Sequence, residues 1–116
     1  MLIKFENIES KGDIISGDPI INSAIKVGYE ILKNGLEENI LKGSKLKVQK
    51  LKKNISPNYF GTILLTFIAK DNTMLTESFD LTKSETNKNF INIRVAQSWN
   101  HILDKVKEQN KEKVND

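Results

Sequence analysis

YFGTILLTFIAK, residues 59 to 70, is the stretch on which the fold turns. Its odd positions Tyr59, Ile63, Leu65, Phe67 and Ala69 are apolar apart from Gly61, and its even positions mix Phe60, Leu64 and Ile68 with Thr62 and Thr66. Successive strand residues point to opposite faces, so a run apolar on both sides belongs near the centre of a sheet.

Downstream, Asp71 and Asn72 form a short turn into residues 74 to 81, where Leu75, Phe79 and Leu81 share a face with Glu77. That spacing predicts an antiparallel hairpin with the central strand. Upstream, Ser56, Pro57 and Asn58 form a turn cluster. Before it, from Ser44, the pattern again has period two: Leu46 and Val48 face one way, and Lys45, Lys47 and Gln49 the other. Leu51 breaks that phase, which predicts a bulge or a strand end near Lys50. Together these segments read as a three-stranded antiparallel meander.

Helices flank the meander. Asp18 followed by Pro19 is a helix start, because an aspartate accepts hydrogen bonds from exposed first-turn amides and proline tolerates the first helical position. Ile20, Ile21, Ala24, Ile25, Val27, Ile31 and Leu32 then recur at three- and four-residue intervals, until Asn34 and Gly35 supply the stop. Residues 36 to 42 read as a second, short helix, with Gly43 as a left-handed cap. Near the other end, Ile91, Val95, Trp99, Ile102 and Val106 lay an apolar stripe on a helix beginning near Asn87, after the polar loop TKSETNKN at residues 82 to 89. The alternative is a strand over residues 90 to 95. At the N-terminus, residues 2 to 8 alternate apolar and polar side chains as a half-buried strand does, and Gly12, Asp13, Gly17 and Asp18 mark the loop after it.

The predicted fold is therefore a single α+β domain over residues 1 to 116, with residues 107 to 116 as a frayed tail. Its order is strand, helix, short helix, three-stranded antiparallel meander and C-terminal helix, with the helices packed on one sheet face. Length and a 38% hydrophobic share agree with one core. No apolar run reaches the roughly 18 to 20 residues that span a bilayer, and residues 1 to 10 lack the continuous apolar segment of a signal peptide. The expected setting is cytoplasmic with no membrane partner, and zero cysteines agree with that. Seventeen lysines against one arginine, with thirteen asparagines and fifteen isoleucines, fit codon bias in an AT-rich genome. In size and in that bias the chain resembles the small accessory proteins of Firmicute-type genomes and their phages, a likeness of composition that covers no motif.

Charge is segregated. Residues 39 to 70 hold seven lysines and no carboxylate, and all fifteen acidic residues lie outside them. Six of those lysines, Lys42, Lys45, Lys47, Lys50, Lys52 and Lys53, cluster on one strand and its flanks and are followed by Tyr59 and Phe60. On a strand Lys45 and Lys47 project from one face roughly 6.6 Å apart, close to the phosphate spacing of a single nucleic-acid strand. The segment is thus a candidate surface for an acidic partner or for nucleic acid, with the aromatics as stacking platforms. Lysines that guard a sheet edge are the structural alternative.

Catalytic motifs are absent. His101 is the sole histidine, which excludes multi-histidine metal sites, and no nucleophile elbow, phosphate loop or dinucleotide fingerprint occurs. No cofactor or metal is expected. Glu37 and Glu38 are adjacent on a helix and point about 100° apart, as solvated side chains do. Glu77, on the apolar side of its strand, calls for a lysine or Arg94 as partner. Arg94, the only arginine, is read as an ion pair with Glu77 or Asp80, or as a ligand-binding group. The leading expectation is a non-enzymatic protein-interaction or assembly module, working through a protein partner or self-association. The alternative is a nucleic-acid-binding module. A small enzyme or ligand-binding protein around Glu77, Arg94 and His101 comes third.

Overall fold

A computed structural model describes residues 2–4, 19–51, 59–85 and 87–114 of the chain. Its four strands are β1 (Leu2–Lys4), β2 (Lys45–Leu51), β3 (Tyr59–Ile68) and β4 (Met74–Thr82). They form one antiparallel sheet in the order β1-β2-β3-β4. Three α-helices, α1 (Pro19–Gly35), α2 (Glu38–Leu41) and α3 (Lys88–Val114), complete the α+β domain. The predicted meander is present, and β3, apolar on both sides, lies between β2 and β4.

Register fixes which side chains share a face. Leu46 pairs with Phe67 and Val48 with Leu65, and Phe67 continues to Leu75 and Ile63 to Phe79. That face is the core: Leu46, Val48, Ile63, Leu65, Phe67, Phe79 and Leu81 are buried under the two long helices. The opposite face carries the rows Lys45, Ile68, Met74 and Lys47, Thr66, Thr76. Among the described residues no helix packs on it.

The helices meet along a seam of small residues. Trp99 and Leu103 of α3 press on Gly28 and Gly35 of α1, where added β-carbons would stand 2.4 and 2.6 Å from the nearest side-chain atoms. The Trp99 indole N–H donates to the Ala24 carbonyl at 2.9 Å, so the ring is bonded as well as buried. The Ser23 hydroxyl donates to Asn92 Oδ1 at 3.1 Å, a second bond across the seam. The stripe residues Ile91, Val95, Trp99, Ile102 and Val106 are all buried, and residues 90 to 95 are helical rather than a strand. Asn87 caps α3, its Oδ1 accepting from the Asn89 amide at 2.8 Å and more weakly from Phe90.

Local differences from the sequence reading have local causes. β2 runs regularly to Leu51, and the irregularity falls on β3 between Tyr59 and Gly61. Leu51 does not break phase, because it stands on the same side as Lys45, Lys47 and Gln49 and is exposed there. The α3 backbone stays helical to Val114, beyond the stripe that ends at Val106, whereas the sequence predicts a frayed tail from Lys107. At the turn after β3, Asn72 takes a φ of 70° and its amide donates to the Ala69 carbonyl. Residues 83 to 85 form one 3-10 turn within the expected loop. The Asp18 cap, the loop at residues 12 to 17, the continuation of the first strand to residue 8 and the Ser56, Pro57, Asn58 turn lie outside the described residues.

Candidate functional site: the uncovered sheet face

A strand sends alternate side chains to opposite faces, and this alone divides the lysine segment. Lys45 and Lys47 stand on the uncovered face, beside Ile68 and Thr66 of β3. Lys50 is on the helix side of β2, opposite Ile63, with its ammonium 4.3 Å from the centroid of the Phe60 ring. Lys42 is exposed at the end of α2. Lys52, Lys53 and the Tyr59 side chain lie outside the described residues. The described lysines therefore do not converge on one groove, and Phe60 is covered by a lysine rather than open for a base to stack.

Edge guarding does not explain Lys45 and Lys47. β1 pairs with β2 through Leu2 with Lys47, Ile3 with Leu46 and Lys4 with Lys45, so this part of β2 is an inner strand. The two lysines are half-buried. Lys4 aligns with Lys45 in the same register row. The rest of the face is mostly neutral: Gln49, Leu64, Thr66, Thr76 and Ser78, with Thr66 buried between Lys47 and Thr76. Its carboxylate among the described residues is Asp80, which accepts from the Thr62 hydroxyl at 2.6 Å. Leu51 and Met74 are exposed at opposite ends of the face, 37% and 58% accessible, so they form no joint apolar patch.

On the helix side, Glu77 accepts from Lys105 Nζ at 2.9 Å and lies 3.8 Å from His101 Nδ1. This is the lysine partner that its position calls for. Arg94 pairs with neither candidate acid. Its guanidinium lies 4.9 Å from the Phe79 ring centroid and 5.9 Å from that of Phe90, and Asp80 projects from the other side of the sheet. Among the described residues Arg94 has no carboxylate partner. Its need for a planar cation is met by stacking, which a lysine serves less well.

A cavity of about 230 Å³ opens at one end of the sheet, floored by Phe67, Leu75 and Val106 and rimmed by Asn39, Lys70 and Gln109. Lys70 Nζ donates to the Asn39 carbonyl at 3.5 Å across its mouth. Glu77, Arg94 and His101 do not line it. Glu37 and Glu38 are exposed. Among the described residues no group of three or more acidic or histidine side chains is placed to hold a metal ion, and no helix is long and apolar enough to cross a membrane.

Comparison with protein-family models, with curated proteins and with solved structures finds no match in any of the three.

Proposed function

We propose that the protein is a non-enzymatic interaction module that holds an acidic protein partner against the uncovered face of its sheet. The observation that carries this reading is the position of Lys45 and Lys47: two cations on an inner strand, on the side where no helix among the described residues packs. An inner strand needs no protection against edge pairing, so guarding an edge does not account for their charge. A face on which Lys45, Lys47, Thr66 and Thr76 stand beside Ile68, Met74 and Leu64 suits a mixed contact steered by charge.

Nucleic acid is the weaker reading. It draws on the same two lysines but lacks an exposed stacking ring among the described residues, since Lys50 sits on Phe60.

The test is a titration of the full chain with polyglutamate and, separately, with single-stranded oligothymidylate. The expected result is binding of polyglutamate that weakens as salt rises and falls several-fold in the Lys45→Gln, Lys47→Gln double variant. Preference for the oligonucleotide would replace this reading with the nucleic-acid one. Failure to bind either polymer would remove both.

A further inference from the structure

We infer that the cavity at the hairpin end of the sheet binds a small apolar α-amino acid as its zwitterion, a molecule of the size of leucine. The site goes beyond the interaction reading, because Phe67 and Leu75 in its floor stand on the helix side of the sheet, opposite the face that carries Lys45 and Lys47. Three parts of the fold meet there with β3 and β4: α2 contributes Ile40, α3 contributes Val106, and the turn after β3 contributes Lys70 and Asp71.

Volume and lining fix the class of occupant. At about 230 Å³ the cavity falls below the roughly 300 Å³ at which pockets for drug-sized ligands begin, so its ligand is small. Ile40, Phe67, Leu75 and Val106 give it an aliphatic and aromatic floor, which takes an apolar side chain out of water.

The rim selects the head group. Lys70 Nζ donates to the Asn39 carbonyl, a neutral acceptor, at 3.5 Å, and among the described residues no carboxylate pairs with it. A ligand carboxylate is the stronger acceptor for that ammonium. Asp71 lines the same opening, and its Oδ1 accepts from the Thr73 amide at 3.0 Å, which holds the carboxylate at the turn. Asn110 Nδ2 donates to the Val106 carbonyl at 2.8 Å, so its side-chain oxygen is the group that it offers to a ligand. A cation, a carboxylate and an amide oxygen around one opening favour a ligand that carries both charges. A simple carboxylate is repelled by Asp71 and a simple amine by Lys70, whereas a zwitterion suits both. An α-amino acid has its two charges on one carbon and a single side chain to bury, which matches neighbouring Lys70 and Asp71 above one apolar floor.

The probe is L-leucine, titrated into the 15N-labelled full chain and followed by amide shifts. Three controls each lack one feature: isocaproate has no ammonium, isoamylamine no carboxylate, and glycine no apolar side chain. The expected result is saturable shifts at Asn39, Thr73 and Gln109 with a Kd below about 1 mM for leucine, and binding at least about tenfold weaker for each control. Lys70→Gln should weaken leucine about five- to tenfold without weakening isoamylamine, a split that a general loss of structure does not produce. Ala69→Leu, which adds bulk to the cavity wall, should abolish leucine binding while the amide spectrum away from the cavity is kept. Isocaproate, isoamylamine or glycine binding as tightly as leucine overturns the inference, as does the absence of saturable shifts at the cavity. Leucine affinity unchanged in both variants overturns it too.

Discussion

The Trp99 indole rests on Gly28: a β-carbon at residue 28 would stand 2.4 Å from Trp99 Cε2 and 2.6 Å from Nε1. The same indole nitrogen donates to the carbonyl of Ala24, one helical turn earlier. The ring is therefore held from two sides, and the glycine in the middle of α1 is the notch that admits it.

Gly28→Ala follows from that contact. Alanine favours a helix interior by about 1 kcal/mol over glycine, but overpacking a close contact costs about 1–3 kcal/mol, and three atoms of a fully buried ring stand in the way. The expected outcome is a net loss of up to about 2 kcal/mol, measured by urea denaturation. A more stable variant would show that Trp99 can move aside.

Gly43 makes the exit from α2, with a φ of 81° that L side chains rarely adopt, and an added β-carbon would lie 3.2 Å from Lys70 Cβ. Gly43→Ala should cost about 1 kcal/mol or more in the same measurement. The Gly43→Asn variant should lose less than Gly43→Ala, since asparagine tolerates this conformation better.

Glu77 is 26% exposed and Lys105 47%, so their ion pair is solvent-screened. Glu77→Gln is expected to change stability by less than about 1 kcal/mol, and still less when salt is raised to about 0.5 M. A loss of several kcal/mol would instead mark Glu77 as part of a tightly coupled polar group.

How far the sequence can be read depends on the range of the interaction. The period-two run from Tyr59 to Ile68 and the stripe from Ile91 to Val106 are legible because burial imprints its period on local residues. The partner of Glu77 is legible in type, a lysine, but not in identity, because Lys105 lies 28 positions away on another element. The pairing of β1 with β2 is likewise non-local, and it is what turns Lys45 and Lys47 from edge residues into inner ones. Phase separates Lys45 and Lys47 from Leu46 and Val48 and marks the lysine side as the polar one, yet it does not say that another strand flanks this part of β2. Arg94 is misread as an acid's partner for a similar reason: its ring partners Phe79 and Phe90 leave no charge signal, whereas the nearby acids do. Gly28 carries no periodic signal at all, being defined only by the tryptophan that fills its place.

The claim that the uncovered face is the binding surface is tested most directly by recording amide shifts of the 15N-labelled chain as polyglutamate is added. The account predicts shifts concentrated at Lys45, Lys47, Gln49, Thr66 and Thr76, with the α1–α3 seam around Gly28 and Trp99 unmoved. Shifts centred on Lys42, on Lys50 and Phe60, or spread evenly over all lysines would contradict it.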